Sequence, residues 1–195
     1  MNLDNLTFDN FMSLDSKIRK EVINSYEYLK IMLKKNMKES RYAHSLSVAE
    51  TAKQLAKRHN VDPEKAYLAG LLHDCTKDFD EAFHDEYLKY YDEIKLKMPE
   101  GVKHSYTAKY YLKEKLNFHD KDILNAIYNH TICESRDKLS LIIYIADKRE
   151  PLRKINDDIL ELAYTDLYKA YNLLHINVER YIKEVKNERF VEDSL

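Results

Sequence analysis

Apolar residues recur along this chain at steps of three and four, the spacing that keeps them on one face of a helix. Ile18, Val22, Tyr26, Leu29 and Leu33 form one such stripe and predict a helix from about Asp15 to Lys35. Ala43, Leu46, Ala49, Ala52, Leu55 and Ala56 form a second, predicting a helix from about Ser40 to His59 with His44 in its first turn. Asp62-Pro63 reads as an N-cap followed by proline at the first helical position. The helix it opens runs through Ala66, Ala69 and Leu72 and ends on His73-Asp74. Gly70 lies within it, where a missing side chain lets a neighbouring helix pack closely.

The stretch from Cys75 to Val102 is polar and Tyr-rich, and Pro99-Glu100-Gly101 is its strongest loop signal, so short helices and a loop are expected there. His104 follows that loop. Helices are then predicted from about Ser105 to Lys115 and from about Asp120 to His130, the latter marked by Ile123, Ala126 and Ile127. Only in Leu139 to Asp147, LSLIIYIAD, does strand compete with helix, because Ile and Tyr suit both when buried. No partner strand is visible, so a buried helix is expected. From about Asp157 to Asn187 the helical pattern returns.

Composition agrees with this pattern. Only 2 Gly and 3 Pro interrupt 195 residues, which points to an all-α fold, and the length suits a single domain with its own core. The expected organisation is an N-terminal appendage and the start of the first helix over 1–25, a domain over 26–187, and a tail over 188–195. The 32 basic and 34 acidic residues are spread along the whole chain with a net charge of -2, which argues against a nucleic-acid partner. No apolar run approaches the ~20 residues that span a bilayer. The segment MNLDNLTFDNF lacks the basic region and apolar core of a signal peptide, so no membrane association and a cytoplasmic location are expected. Cys75 and Cys133 follow His73-Asp74 and His130 closely in sequence, and in that setting two buried free thiols are the expected state.

Six residues carry the candidate chemistry: His44, His73, Asp74, His104, His130 and Asp147. Imidazole and carboxylate suit iron, manganese and zinc, and six ligands exceed what one catalytic ion takes while leaving a position open. Two metals sharing a carboxylate is the economical reading, with Asp74 as the natural bridge because its two oxygens can face two ions. Asp147 closes the most apolar segment of the chain, where a bare carboxylate is costly unless a cation neutralises it. The remaining histidines, His59, His84, His119 and His175, lie in Lys-, Glu- or Asn-rich contexts and read as surface residues.

In RYAHSLSVAETAKQLA, AGLLHDCTK, NAIYNHT and IADKREP, taken with His104, the chain resembles the HD-domain superfamily of metal-dependent phosphohydrolases. Within it the segments are similar to the YqeK-type symmetrical diadenosine tetraphosphate hydrolases, over roughly Tyr26 to Asn187. The chain departs from that pattern at Ile132-Cys133, where a small residue and glycine are usual, and at Lys148-Arg149, where uncharged bulk is usual. The resemblance implies an HD-domain helical bundle binding two divalent ions, iron first, with manganese or zinc as alternatives. His44, His73, Asp74 and Asp147 would hold one ion and Asp74, His104 and His130 the other, with a metal-bridging hydroxide as nucleophile. Asp74 and Lys77 would be catalytic. Arg41, Lys77, Thr131, Arg149 and Arg153 would bind a nucleotide substrate, and a homodimer is the implied assembly. Another nucleotide as substrate, or a two-iron oxygenase chemistry, are the competing readings.

Overall fold

The computed structural model describes residues 26–155 and 158–176, and among them every regular element is a helix. In chain order these are α1 (Tyr26–Asn36), α2 (Glu39–Arg58), α3 (Pro63–Leu72), α4 (Glu81–Tyr91), a 3-10 turn (Glu93–Lys97), α5 (Glu100–Leu116), α6 (Lys121–Tyr128), α7 (Lys138–Arg149), a second 3-10 turn (Pro151–Arg153) and α8 (Ile159–Thr165). A further helical run occupies 167–176. The predicted stretch from Asp15 to residue 25, the appendage, and the tail beyond 176 lie outside the described residues. No helix among those described is long and apolar enough to cross a membrane.

Helix α7 is the axis of the fold. Leu139 through Asp147 are all buried, so the segment that competed between strand and helix is a helix apolar on every side, which only a fully surrounded helix can be. It packs against α2, α3, α6 and α8. Capping follows the sequence: Asp62 accepts from the Glu64 and Lys65 amides, Asp120 from Asp122 and Ile123, and Asp137 from Ser140. Asn117, in the left-handed region at φ 51°, closes α5.

Helices α2 and α3 meet backbone to backbone. A Cβ built on Gly70 would stand 2.7 Å from the Ala49 Cα, so only glycine lets these backbones meet. His73-Asp74 follow directly, which makes this contact the one that sets their height above α2.

Several expectations are corrected. Helix α2 begins at Glu39, so His44 lies in its second turn, and Ala43 is exposed because it stands about 240° around the helix from Ala49. Pro99-Glu100-Gly101 is no loop: Pro99 is the N-cap of α5, whose first turn takes Glu100 and Gly101, and His104 is therefore helical. His84 is no surface residue. It is buried, with Nδ1 2.9 Å from the Thr107 hydroxyl. His59 is half-buried against the Ala163 carbonyl, Nε2 to oxygen 2.6 Å.

Replacing Gly70 with alanine is expected to destabilise the protein by about 1–3 kcal/mol, the range for overpacking a tight interface. Urea denaturation checks this, and an unchanged midpoint would contradict the close contact.

Candidate metal centre

Five helices deliver the six ligand candidates to one point. His44 comes from α2, His73 and Asp74 from the end of α3, His104 from α5, His130 from just past α6, and Asp147 from the last turn of α7. The rings form a chain, with centroids 5.3 Å apart for His44 and His73, 4.8 Å for His73 and His130, and 5.0 Å for His130 and His104. Asp147 Oδ1 lies 3.1 Å from His44 Nε2 and 3.6 Å from His73 Nε2. Asp74 divides its oxygens. Oδ1 is 3.1 Å from His104 Nε2 and 3.3 Å from His130 Nε2, while Oδ2 is 3.7 Å from His73 Nε2.

The partners on the outer side of the rings decide the tautomers. His73 Nδ1–H donates to the Gly70 carbonyl at 2.7 Å, His130 Nδ1–H to the Ile127 carbonyl at 2.7 Å, and His44 Nδ1–H to Glu150 Oε1 at 3.0 Å. A neutral imidazole carries one N–H, so in the neutral form that binds a metal all three rings present an Nε2 lone pair to the centre. These lone pairs face carboxylate oxygens, acceptor against acceptor. His73 Nε2 is buried without any hydrogen-bond partner. A cation is the group such a site lacks, and nitrogen with oxygen donors suits a divalent metal. His44, His73 and Asp147, and likewise His73, Asp74 and His130, bring ligand atoms within 4.8 Å of one another. His104 differs from the other three: among the described residues no acceptor faces its Nδ1, and Lys77 Nζ lies 3.0 Å from each ring nitrogen.

Without an ion a proton takes the place of the cation: burial opposes charge on His73, but Asp74 and Asp147 outweigh it and raise its pKa. Burial likewise opposes ionisation of the two carboxyls, but it is outweighed by His73, His104 and His130 at Asp74 and by Lys148, His44 and His73 at Asp147. Both carboxyls are held well below the usual range. Burial presses His104 down to about 3 and lowers His130 as well, so both rings are neutral near pH 7.

A cleft of about 420 Å³ opens over this centre, lined by five of the six ligand candidates with Ser40, Arg41, Lys77, Thr131 and Arg153. His73, the sixth, is fully buried and does not line it. Arg41 Nη1 lies 3.0 Å from Asp74 Oδ2, and Arg153 Nη2 lies 2.9 Å from Asp147 Oδ1. The structure does not bring Arg149 into the cleft. Two residues beyond Asp147, it is about 200° around the helix, and its Nη1 donates to the Lys148 carbonyl at 2.8 Å. Thr131 lines the cleft, but Ser105 spends its proton on the Val102 carbonyl at 2.8 Å, so the Thr131 hydroxyl donates to Ser105 Oγ at 2.7 Å. It offers the cleft an acceptor rather than the donor a phosphate needs.

Residues 41–152 match the HD domain. The chain belongs to the HD-domain family. Among its relatives, a probable nicotinate-nucleotide adenylyltransferase/Ap4A hydrolase of Mycoplasma genitalium is 35% identical over 80% of this chain and 47% of its own length. The chain thus spans about half the length of that relative. A symmetrical bis(5'-nucleosyl)-tetraphosphatase of Halalkalibacterium halodurans is 32% identical over 84% of this chain and 90% of its own. The crystal structure of a predicted HD superfamily hydrolase involved in NAD metabolism, from Clostridium acetobutylicum, superposes with a TM-score of 0.76 at 32% identity, covering 83% of this chain and 89% of that one.

Glu150 was not among the residues expected to hold metal or substrate. It is buried, and it both fixes the His44 tautomer and accepts from the Leu152 amide at 2.7 Å, capping the 3-10 turn that carries Arg153 to the cleft. Asp78, which pairs with Arg41 Nε at 3.0 Å, went unnoticed among the polar residues after the HD doublet. Cys75 and Cys133 are buried free thiols, and burial pushes the Cys133 thiol up to about 12. Neither belongs to the ligand groups of this HD-domain centre.

Replacing His73 with alanine is expected to weaken metal binding at least ~10-fold, because His73 belongs to both ligand groups. Elemental analysis after loading and dialysis reads this out, and full native metal content would contradict it.

Proposed function

We propose that this HD-domain chain is a metal-dependent hydrolase that cleaves diadenosine tetraphosphate symmetrically into two ADP. The observation that carries the reading is the cleft itself, where the imidazole–carboxylate cluster and the cationic arms of Arg41, Lys77 and Arg153 surround one cavity. The names of the HD-domain relatives supply the substrate. On this reading 26–187 is the hydrolase domain, flanked by 1–25 and 188–195.

The reading takes the centre as dinuclear. His44, His73, Asp74 and Asp147 would hold one ion, and Asp74, His104 and His130 the other, with iron first and manganese or zinc as alternatives. The division of the Asp74 oxygens between His73 and the His104–His130 pair supports the shared role. Bound ions supply Lewis acidity, which makes hydroxide available near neutral pH and offsets charge on the phosphates. The chain's own residues do the rest. Arg41 and Arg153 present guanidinium forks to non-bridging oxygens, and Lys77 adds a point charge on the same side of the cleft. Water oxygen adds to one of the two central phosphorus atoms, the bond from that phosphorus to the central bridging oxygen breaks, and one ADP leaves with the electron pair. Among the described residues no Phe, Tyr or Trp lines the cleft, and on this reading the adenosine ends lie beyond it.

The three cations favour a phosphate substrate over dioxygen, and so a hydrolase over an oxygenase. A homodimer, no nucleic-acid partner and a cytoplasmic setting complete the reading. The charge of -2 and the two buried free thiols support the last two.

Metal-loaded protein incubated with diadenosine tetraphosphate in ¹⁸O-water is expected to yield ADP alone, with the label on a β-phosphate of one of each pair. ATP plus AMP would contradict the symmetrical cut, and faster turnover of another compound in a nucleotide panel would contradict the substrate. Arg153→Ala is expected to raise KM about tenfold, the scale of a lost charge-assisted hydrogen bond. Arg149→Ala should leave steady-state kinetics unchanged, and an equal loss in both variants would contradict the placement of the arms.

A further inference from the structure

Lys148 is a cation for which the mechanism above has no task. Its ammonium does not line the cleft. Nζ donates to the His130 carbonyl at 2.8 Å, lies 3.9 Å from the centre of the Tyr144 ring, and stands 3.4 Å from Asp147 Oδ2. The two oxygens of Asp147 are thereby given different surroundings. Oδ1 faces His44, His73 and Arg153, and Oδ2 faces Lys148.

Arg153 also rests on Asp147, but the two cations are held differently. The Arg153 side chain is 41% exposed at the edge of the cleft, where it can turn towards a substrate. Lys148 is 18% exposed and is fixed by a carbonyl and an aromatic face, two contacts that do not depend on substrate. A fixed positive charge beside a cation site repels the incoming ion, and a carboxylate oxygen already paired with an ammonium is a poor additional ligand.

The geometry points to Lys148 as a resident cation that keeps Asp147 Oδ2 out of metal ligation, so that Oδ1 alone serves the ion and a coordination position stays open. The inference rests on the metal-centre reading proposed above. Lys148 is thus a positioning residue acting through Asp147. It lowers metal affinity and preserves the vacant position that a catalytic site, unlike a structural one, must keep.

The test is titration of the metal-free full chain with Mn(II) by calorimetry, for the native protein, K148M and K148R. K148M, which keeps the length and loses the charge, is expected to bind Mn(II) about tenfold tighter, the lower end of effects from groups contacting a ligand. K148R, which keeps the charge, should bind as the native protein does. Native binding with equal or weaker binding by K148M overturns the inference and leaves the metal centre standing. No binding by the native protein overturns both. Should circular dichroism show that K148M does not fold, the crystal structure of the Mn(II)-loaded native protein decides. Lys148 still on Oδ2 is the expected result, and both Asp147 oxygens on the ion with Lys148 displaced would refute it.

Discussion

The structure turns on an electrostatic conflict that the protein creates and does not itself resolve. Three imidazoles have their Nδ1–H drawn outward by Gly70, Ile127 and Glu150, so each neutral ring presents a lone pair inward to the oxygens of Asp74 and Asp147. In a buried setting, lone pairs facing lone pairs at 3.1–3.7 Å repel one another, and a cation placed among them turns each repulsion into a bond. Arg41 and Arg153 lean on the same carboxylates from the solvent side and offset part of the charge. Neither reaches His73 Nε2, which stays unpaired at the bottom of the site.

The fold holds this arrangement in place through backbone. Two of the outward acceptors are carbonyls one turn back in the helix that leads to the histidine, so the end of α3 and the end of α6 each orient their own imidazole. The close meeting of Gly70 with Ala49 fixes the end of α3 against α2, and the buried axis α7 brings Asp147 up between them. Precision in the site therefore comes from helix packing, and the loops contribute little to it. Glu150 is the exception, a buried side chain that orients His44 and at the same time caps the turn bearing Arg153. It ties the ligand set to the cationic arms.

Much of this could be read before any coordinates. Stripes at steps of three and four gave α2, α3 and α6, the want of a partner strand gave α7, and the Asp62-Pro63 cap marked the start of α3 to within a residue. The ligand candidates were legible because imidazoles and acids at helix ends, and an acid closing LSLIIYIAD, need a reason to be there. Less legible was anything set by rotation about a helix axis. Ala43 and Arg149 have the right composition for their expected roles, yet a few residues' difference in phase turns one to solvent and the other away from the cleft. Hydrogen-bond direction was equally hidden, since nothing in the sequence says that Ser105 would claim the Thr131 proton. Burial of charge in a run such as DKREP also escapes composition: Glu150 is 2% exposed and the Lys148 side chain 18%.

The most direct measurement of the central claim is the protonation pattern of the imidazole rings in zinc-loaded, ¹⁵N-labelled protein by long-range ¹H–¹⁵N correlation. The account predicts that His44, His73 and His130 each carry their proton on Nδ1, with Nε2 unprotonated and shifted by the ion. Protons on Nε2 of these three rings in the presence of zinc would contradict it.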